Sequence, residues 1–411
     1  MYQKLNQAAL AELPQLIAFR RHLHKNPETG WKENRTSSYI QHYLTSYGYR
    51  TITKTAVCAG GTGVIGILSC GDGPVTALRF DIDALPVTES ESAEHFPFTE
   101  GFISSIPGCM HACGHDGHTA IGLGTARILA SIREQLCGTV KLIFQPAEEG
   151  ARGALPITEM GHLDDVDFLL GGHIVGREYT SAKSCNVICG VRGSLATTKL
   201  DAVFHGKAAH GANPQEGCNV NLALASAVLN LHGIPRHRDG ATFINVGTIQ
   251  GGRGRNIISD HGKLELETRG ESTELNQYME SYARRILTAS AALHNTICEI
   301  SIAGSAPSIL SDRTFMQRIY RTLSRANGCI RPSGNENTVF QASEDFSHMM
   351  QRVQAHGGNA SYLLFPTDTC APLHDPAFDF PESVMQIGVA VFCSIVYDLN
   401  HIPSGYTNQG E

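Results

Sequence analysis

Several stretches of the 411-residue chain carry side chains suited to binding metal ions or moving protons, each beside a segment with a clear structural pattern. Residues 109–118 read CMHACGHDGH, which sets Cys113, His115, Asp116 and His118 at the approach to an expected helix over 118–132. Thiolate and imidazole suit zinc and other borderline transition ions. The same segment also reads as a histidine-rich helix N-terminus with a buried cysteine. The apolar run VKLIFQ (140–145) leads into PAEEG, so Glu148 and Glu149 stand at the end of an expected strand. Adjacent residues point in different directions. One carboxylate can therefore ligate an ion while its neighbour takes a proton from the attacking water; a solvated turn is the plain alternative. His173 closes the run DFLLGGHI (167–174), and His374 follows SYLLF (361–365) within PLHDP. Each histidine alone also fits a satisfied core residue, but unrelated accidents do not deliver a ligand-type side chain at several strand ends. Cys113, His115, Glu149, His173 and His374 are too many for one tetrahedral ion with an open position, and suit two ions that share a bridging group.

These residues need a frame. Helical periodicity over 8–24 and 35–47 precedes the strand-like runs GVIGIL (63–68) and VTALRF (75–80), then the helix at 118–132 and the strands at 140–145 and 167–174. Strands alternating with helices predict an α/β catalytic domain with a mostly parallel sheet flanked by helices, whose chemistry gathers at the carboxyl ends of the strands. From about 196 the rhythm becomes strand, helix (219–233), strand (242–249), strand (263–269), helix (272–292), strand (296–303). That βαββαβ order is ferredoxin-like. Helices near 312–327 and 382–400 around the strand 361–365 then return to the first pattern. The expected division is a discontinuous catalytic domain, 1–195 and 304–411, with an inserted lid or dimerisation domain, 196–303.

Composition narrows the function classes. With 32 Lys+Arg against 39 Asp+Glu the formal charge is −7, and no long basic run occurs, which argues against nucleic acid as a partner. No stretch reaches the roughly 18 apolar residues of a membrane helix, and the N-terminus lacks the apolar core of a signal peptide. A cytoplasmic protein with no membrane partner follows as the default. The twelve cysteines are scattered without a CxxC pair, so they read as reduced, and a thiol-redox function rests on their number alone. HExxH, GxSxG and GxxxxGK[ST] are absent. The one GxGxxG, at Gly61, Gly63 and Gly66, leads into a strand and not from a strand into a helix, so it is rejected as a dinucleotide site.

The segments RRHLHKNPETGWKE, RFDIDALP, MHACGHDGHTA, FQPAEEGARGA, GGHI, GKAAHGANPQEG and LHDPAFDF occur in that order over essentially the whole chain. In this the chain resembles the aminoacylase/carboxypeptidase G type metallopeptidases, and within them the amidohydrolase subfamily in which a cysteine replaces the bridging aspartate. The resemblance implies two divalent ions, manganese or zinc with nickel or cobalt as further candidates. Cys113 would take the bridging position, and His115, Glu149, His173 and His374 would complete the two sites. Glu148 would be the general base. Asp83 would orient ligands from behind, or else serve as a strand-end turn carboxylate.

The same resemblance assigns His210 as an oxyanion donor, supplied across a homodimer, and Asn256 and Arg269 as holders of the substrate carboxylate. Lys199, in ATTK, is a further candidate for reading a second carboxylate or an ordinary exposed strand lysine. ATTK, NVGTIQGGRGRN, LETRG and the SED at 343–345 look closest to the aminobenzoyl-glutamate-cleaving branch. The implied reaction is hydrolysis of an N-acyl amino acid, N-(4-aminobenzoyl)-L-glutamate to 4-aminobenzoate and glutamate. The alternatives are a general N-acyl-amino-acid hydrolase of the hippurate or indole-acetyl-amino acid type, or one component of an enzyme that needs a paralogous second chain.

Overall fold

The computed structural model describes residues 1–401 except 55, 56, 59, 181–183 and 327. In chain order the helices are α1 (Tyr2–Lys25), α2 (Asn34–Ser46), α3 (Phe96–Thr99), α4 (His115–Ser131), α5 (Ala154–Glu159), α6 (Val220–His232), α7 (Thr273–Leu293), α8 (Arg313–Ala326), α9 (Phe346–Ala355) and α10 (Val384–Asn400). The strands are β1 (Arg50–Thr53), β2 (Val64–Ser69), β3 (Val75–Asp81), β4 (Thr139–Gln145), β5 (Phe168–Val175), β6 (Val187–Ile188), β7 (Ala196–His205), β8 (Thr242–Gly251), β9 (His261–Gly270), β10 (Ile297–Ala306), β11 (Pro332–Ser333) and β12 (Asn359–Pro366). None of the described helices is long and apolar enough to cross a membrane. Two compact units result: Met1–Arg192 with Leu310–Val339 and the chain from Asp345 onward, and Gly193–Ile309 with Phe340–Glu344.

The first unit is built on an eight-stranded sheet, ordered β1-β2-β4-β3-β5-β12-β6-β11. Its central strands β4, β3, β5 and β12 run parallel and are buried along almost their whole length. Both sheet faces must therefore be covered, which is why these segments are apolar without alternation. Helix α1 supplies one cover: Leu5, Ala9, Leu16, Phe19 and Leu23 recur at helical spacing and are buried, and the helix packs on α4 and α10, which themselves lie on β3. Helix α9 packs on β5, β12 and α5.

Because β3, β4, β5 and β12 point the same way, their carboxyl ends share one edge. The chain leaves β3 through α4 to reach β4 on one side, while β5 has β12 as its other neighbour. That divergence makes the β3/β5 boundary the switch point where α/β sheets open a crevice.

Helix α4 begins at His115, three residues before the expected start at 118. Gly114 stands at the N-cap with φ 84°, a left-handed conformation that glycine adopts without penalty. His115, Asp116 and His118 consequently project from the first helical turn and not from a loop. Polar residues in that turn hid the boundary, since only the apolar stretch from 119 shows the helical period.

The second unit has the order β7-α6-β8-β9-α7-β10 and an antiparallel sheet ordered β10-β7-β9-β8. That is the ferredoxin-like arrangement. Leu200, Ala202 and Phe204 of β7 and Leu264 and Leu266 of β9 alternate onto one face, against Ala223, Leu224, Ala227 and Leu231 of α6 and Met279, Ala283 and Leu287 of α7. Both helices carry N-caps: Asn219 accepts from the Asn221 amide and Ser272 from the Leu275 amide. The loop 340–344 joins this unit through backbone bonds from Phe340 N to Gly193 O, 2.8 Å, and from Leu195 N to Ala342 O, 3.2 Å.

Candidate metal centre

The shared strand edge collects the five expected donors. Cys113 comes from the loop just before the Gly114 cap, His115 from the first residue of α4, Glu149 from the turn after β4, His173 from the end of β5 and His374 from the loop after β12. Donor atoms of Cys113, His115 and His173 lie mutually close, and so do those of Cys113, Glu149 and His374. The two triads have Cys113 in common. Cys113 Sγ is 3.4 Å from His173 Nε2, and Glu149 Oε2 is 3.4 Å from His374 Nε2. A tetrahedral ion with bonds of about 2.0–2.3 Å separates its donors by roughly 3.5 Å, so both triads fit an ion. His115 Nε2 and Glu149 Oε1 are buried without a hydrogen-bond partner and stand 3.9 Å apart. Buried polar atoms are seldom left so, and here the ring orientations explain it. His115 Nδ1 donates to the Asp83 carbonyl, 2.9 Å, and His173 Nδ1 to the Ile174 carbonyl, 2.6 Å. Each ring thus turns its Nε2 towards the centre.

The turn that carries Glu148 and Glu149 is held by three buried carboxylates from distant parts of the chain. Glu33 accepts from Ala147 N, 2.8 Å. Asp83 accepts from Glu148 N and Glu149 N, 3.1 Å each, one on each oxygen. Asp345 accepts from Gly153 N and Ala154 N, 3.0 Å each. This clamp sustains φ of 51° at Ala147 and 55° at Ala151, conformations that L-residues adopt at a cost. Gly153 has no substitute in it, because a Cβ there would lie 1.7 Å from Pro146 O. Asp83 also places Oδ1 3.4 Å from His115 Nδ1, so one carboxylate braces both the turn and a candidate ligand. Behind it Arg79, fully buried, bonds Gln145 Oε1 at 2.8 Å and Asp81 Oδ2 at 2.6 Å. Glu148 reaches the centre from the turn, with Oε2 3.9 Å from His115 Nε2.

Electrostatics follow from burial and crowding. Burial, reinforced by Glu149, pushes the Cys113 thiol well up. Burial also raises the Glu149 carboxyl to about 7, with His115 opposing and Asp83 adding to the rise. For His115, burial opposes charging but Asp81 and Cys113 outweigh it, so its proton is held firmly. Burial, with His118 nearby, keeps His173 neutral. Cations binding here would displace protons from Cys113, Glu149 and His115, since ligands must be deprotonated.

A second polar chain runs from α1 to the base of α4. Buried Arg20 bonds Asp116 Oδ2 at 3.2 Å and also pairs with Asp379. His24 bridges Asp116 Oδ2 and Glu89 Oε1, 2.8 Å to each. His95 Nε2 meets the same Glu89 oxygen at 2.9 Å. Sequence reasoning passed over Arg20, His24, Glu89, Arg79, Asp81 and Glu33 as site-supporting residues. The available signal was a charge inside an apolar strand, as in VTALRF, because charged groups are buried only when paired.

In the second unit the loops around His210 and Asn256 are zipped together, with Gly211 N donating to Asn256 O at 2.8 Å and Ile258 N to Ala209 O at 2.9 Å. His210 Nδ1 accepts from Ala212 N, 3.1 Å, which leaves Nε2–H as the donor. Arg269, on β9, forks onto Glu267 through Nε and Nη2, 3.0 and 3.1 Å. Lys199 lies opposite Glu267 across the β7/β9 ladder.

Residues 77–398 match peptidase family M20/M25/M40. The chain is 39% identical to indole-3-acetyl-aspartic acid hydrolase of Enterobacter agglomerans, over 94% of this chain and 96% of that protein. It is 37% identical to one of the subunits of p-aminobenzoyl-glutamate hydrolase from Escherichia coli (strain K12), over 94% and 96%. A solved Bacillus subtilis protein, a dinuclear metal binding peptidase from the M20 family, superposes with a TM-score of 0.67 at 27% identity, over 95% of this chain and 99% of that one.

Proposed function

The chain belongs to peptidase family M20/M25/M40, and on that premise we propose that it is a two-metal amidohydrolase acting on N-acyl amino acids whose acyl group is aromatic and whose amino acid is acidic. The observation that carries this reading is the pair of donor triads sharing Cys113, with Glu148 beside them. We assign Met1–Arg192 with Leu310–Val339 and the chain from Asp345 as the catalytic domain and Gly193–Ile309 with Phe340–Glu344 as lid and dimerisation domain; the boundaries expected at 195/196 and 303/304 move outward because β10 continues to Ala306. Cys113, His115, Glu149, His173 and His374 would hold two divalent ions, manganese or zinc. Such ions polarise an amide carbonyl and acidify water.

The chain's own residues then divide the work. The Glu148 carboxylate takes a proton from the attacking water as it adds to the carbonyl carbon, then gives that proton to the leaving amine nitrogen. His210 donates through Nε2–H to the carbonyl oxygen, where negative charge grows. Asn256 and Arg269 hold the carboxylate of the amino-acid portion, for which a planar guanidinium is suited.

N-(4-aminobenzoyl)-L-glutamate is the substrate we favour. Relatives named for aminobenzoyl-glutamate and for indole-3-acetyl-aspartate are almost equally similar, at 37% and 39% identity, which keeps indole-acetyl-aspartate as the second reading. Because the first of these relatives is named as one subunit of its hydrolase, a paralogous partner chain joins the homodimer among the assemblies to test. The test is to strip the purified chain with chelator, restore manganese or zinc, and follow release of 4-aminobenzoate and of indole-acetate from their conjugates. Metal-dependent release of one acid names the substrate. No release from either, with two ions bound, would overturn this substrate reading for the chain acting alone.

A further inference from the structure

We propose that His118, which is outside the five donors, is the positioning residue that holds His173 in its ligating orientation and so sets the affinity of the Cys113–His115–His173 ion site. This rests on the two-ion reading above. Strands β3 and β5 are paired only from Thr76 to Leu78 and from Phe168 to Leu170. Beyond that point the ladder stops, at the switch point where the crevice opens. His118 bridges the opening from α4: Nδ1 is 2.6 Å from Asp81 Oδ1 at the end of β3, and Nε2 is 2.9 Å from Ile174 N on β5.

A backbone N–H can only donate, so Nε2 must accept and Nδ1 must carry the proton that Asp81 receives. This fixes the tautomer and leaves no ring lone pair for an ion. Asp81, His115 and His118 do lie close enough to suggest a third ion site. The Asp81 oxygens are engaged by His118 and by Arg79, 2.6 Å each, so the cluster is a brace.

What the brace holds is Ile174, through the two peptide groups that flank it. Its N–H goes to His118 and its carbonyl receives His173 Nδ1, 2.6 Å. The His173 ring is therefore hinged on the residue that His118 pins, and the two rings also meet edge to face with centroids 4.6 Å apart. Remove His118 and a buried N–H loses its acceptor, the Asp81 carboxylate loses a donor, and Ile174, still paired with Phe365 of β12, loses its hold on the β3 side. Of the other triad only Cys113 touches the hinged ring, through Sγ at 3.4 Å from His173 Nε2, while Glu149 and His374 are carried by the β4 turn and the loop after β12, so that triad is disturbed less.

The experiment is a cobalt(II) titration of metal-free wild type, His118→Phe and His118→Gln, read by thiolate-to-cobalt absorption and chelator competition, with thermal melting of each metal-free protein alongside. Wild type is expected to bind two equivalents. In His118→Phe one equivalent should keep its affinity while the other weakens by about 10–100-fold, the usual effect of losing a group behind a ligand. His118→Gln can replace one of the two bonds, so its weaker equivalent should fall between, and this variant decides the matter if the phenylalanine protein does not fold. Unchanged affinity of both equivalents in the glutamine variant overturns the proposal. So does equal weakening of both equivalents with a parallel loss of melting temperature, which marks a merely structural residue. Fewer than two equivalents in wild type would instead overturn the two-ion reading itself.

Discussion

Asp83→Asn tests the logic of the clamp most directly. Asp83 is 1% exposed, and its two oxygens accept the Glu148 and Glu149 amides at 3.1 Å each. Asparagine keeps one oxygen and turns the other into an NH2 that faces an N–H. One buried amide then has no acceptor, a cost of about 1–3 kcal/mol, and the surviving bond loses its charge assistance, about 1 kcal/mol more. The sum, about 2–4 kcal/mol, falls on the turn that presents Glu149. Urea unfolding of the chelator-treated protein should show a destabilisation of that order, and competition with a chelator should show metal affinity lower by about 10–100-fold. An asparagine variant within ~0.5 kcal/mol of wild type and with wild-type affinity would mean that the clamp does not position the turn, and the reasoning built on it would fail.

Glu148→Gln should retain both ions by elemental analysis while turnover drops by about 10²–10⁴-fold, the range for a lost general base; near-normal turnover would remove Glu148 from that role. Arg269→Met should raise KM for free-acid substrates by roughly thirtyfold, the equivalent of about 2 kcal/mol for a charged hydrogen-bond pair, with kcat little changed, and should leave KM for the corresponding amide unaffected. His24 gives a pH prediction. Burial opposes its charge, but Asp116 and Glu89 raise its pKa to about 9, above the ordinary value near 6.5. A raised pKa stabilises the fold fully below about pH 6.5 and loses that contribution as pH climbs through 9. This amounts to about 3 kcal/mol at most. Unfolding midpoints of wild type should fall between pH 6.5 and 9, and His24→Gln should flatten that slope; equal slopes would refute the assignment.

Much of the centre was legible because parallel strands deliver their carboxyl ends to one edge, and that rule needs only local patterns. PAEEG after VKLIFQ and GGHI at the end of an apolar run are visible within a dozen residues. The βαββαβ order was legible for the same reason, since period-two and period-3.6 patterns alternate cleanly in that region. Apart from Asp83, the supporting residues were not. Arg79 meets Asp345 across 266 positions, Asp345 meets Gly153 across 192, and Glu33 meets Ala147 across 114. Nothing local distinguishes such an acid from one facing water. His118 was visible as a ligand-type residue, but its work as a brace depends on where β3 and β5 separate, and separation of strands leaves no mark in either strand's own residues.

The clamp on the Glu148–Glu149 turn also bears on how the protein is made. Its parts leave the ribosome in the order Glu33, Asp83, the turn itself and finally Asp345, which trails Gly153 by 192 residues. At about 5–20 residues per second, roughly 10–40 s separate the synthesis of Gly153 from that of Asp345, so the third acid is the last part of the clamp to become available. His374 emerges later still. A complete second triad therefore exists only after residue 374 has been made. The triad of Cys113, His115 and His173 is thus made well before the one that His374 completes, and the two donor sets of the centre differ in how much of the chain each requires.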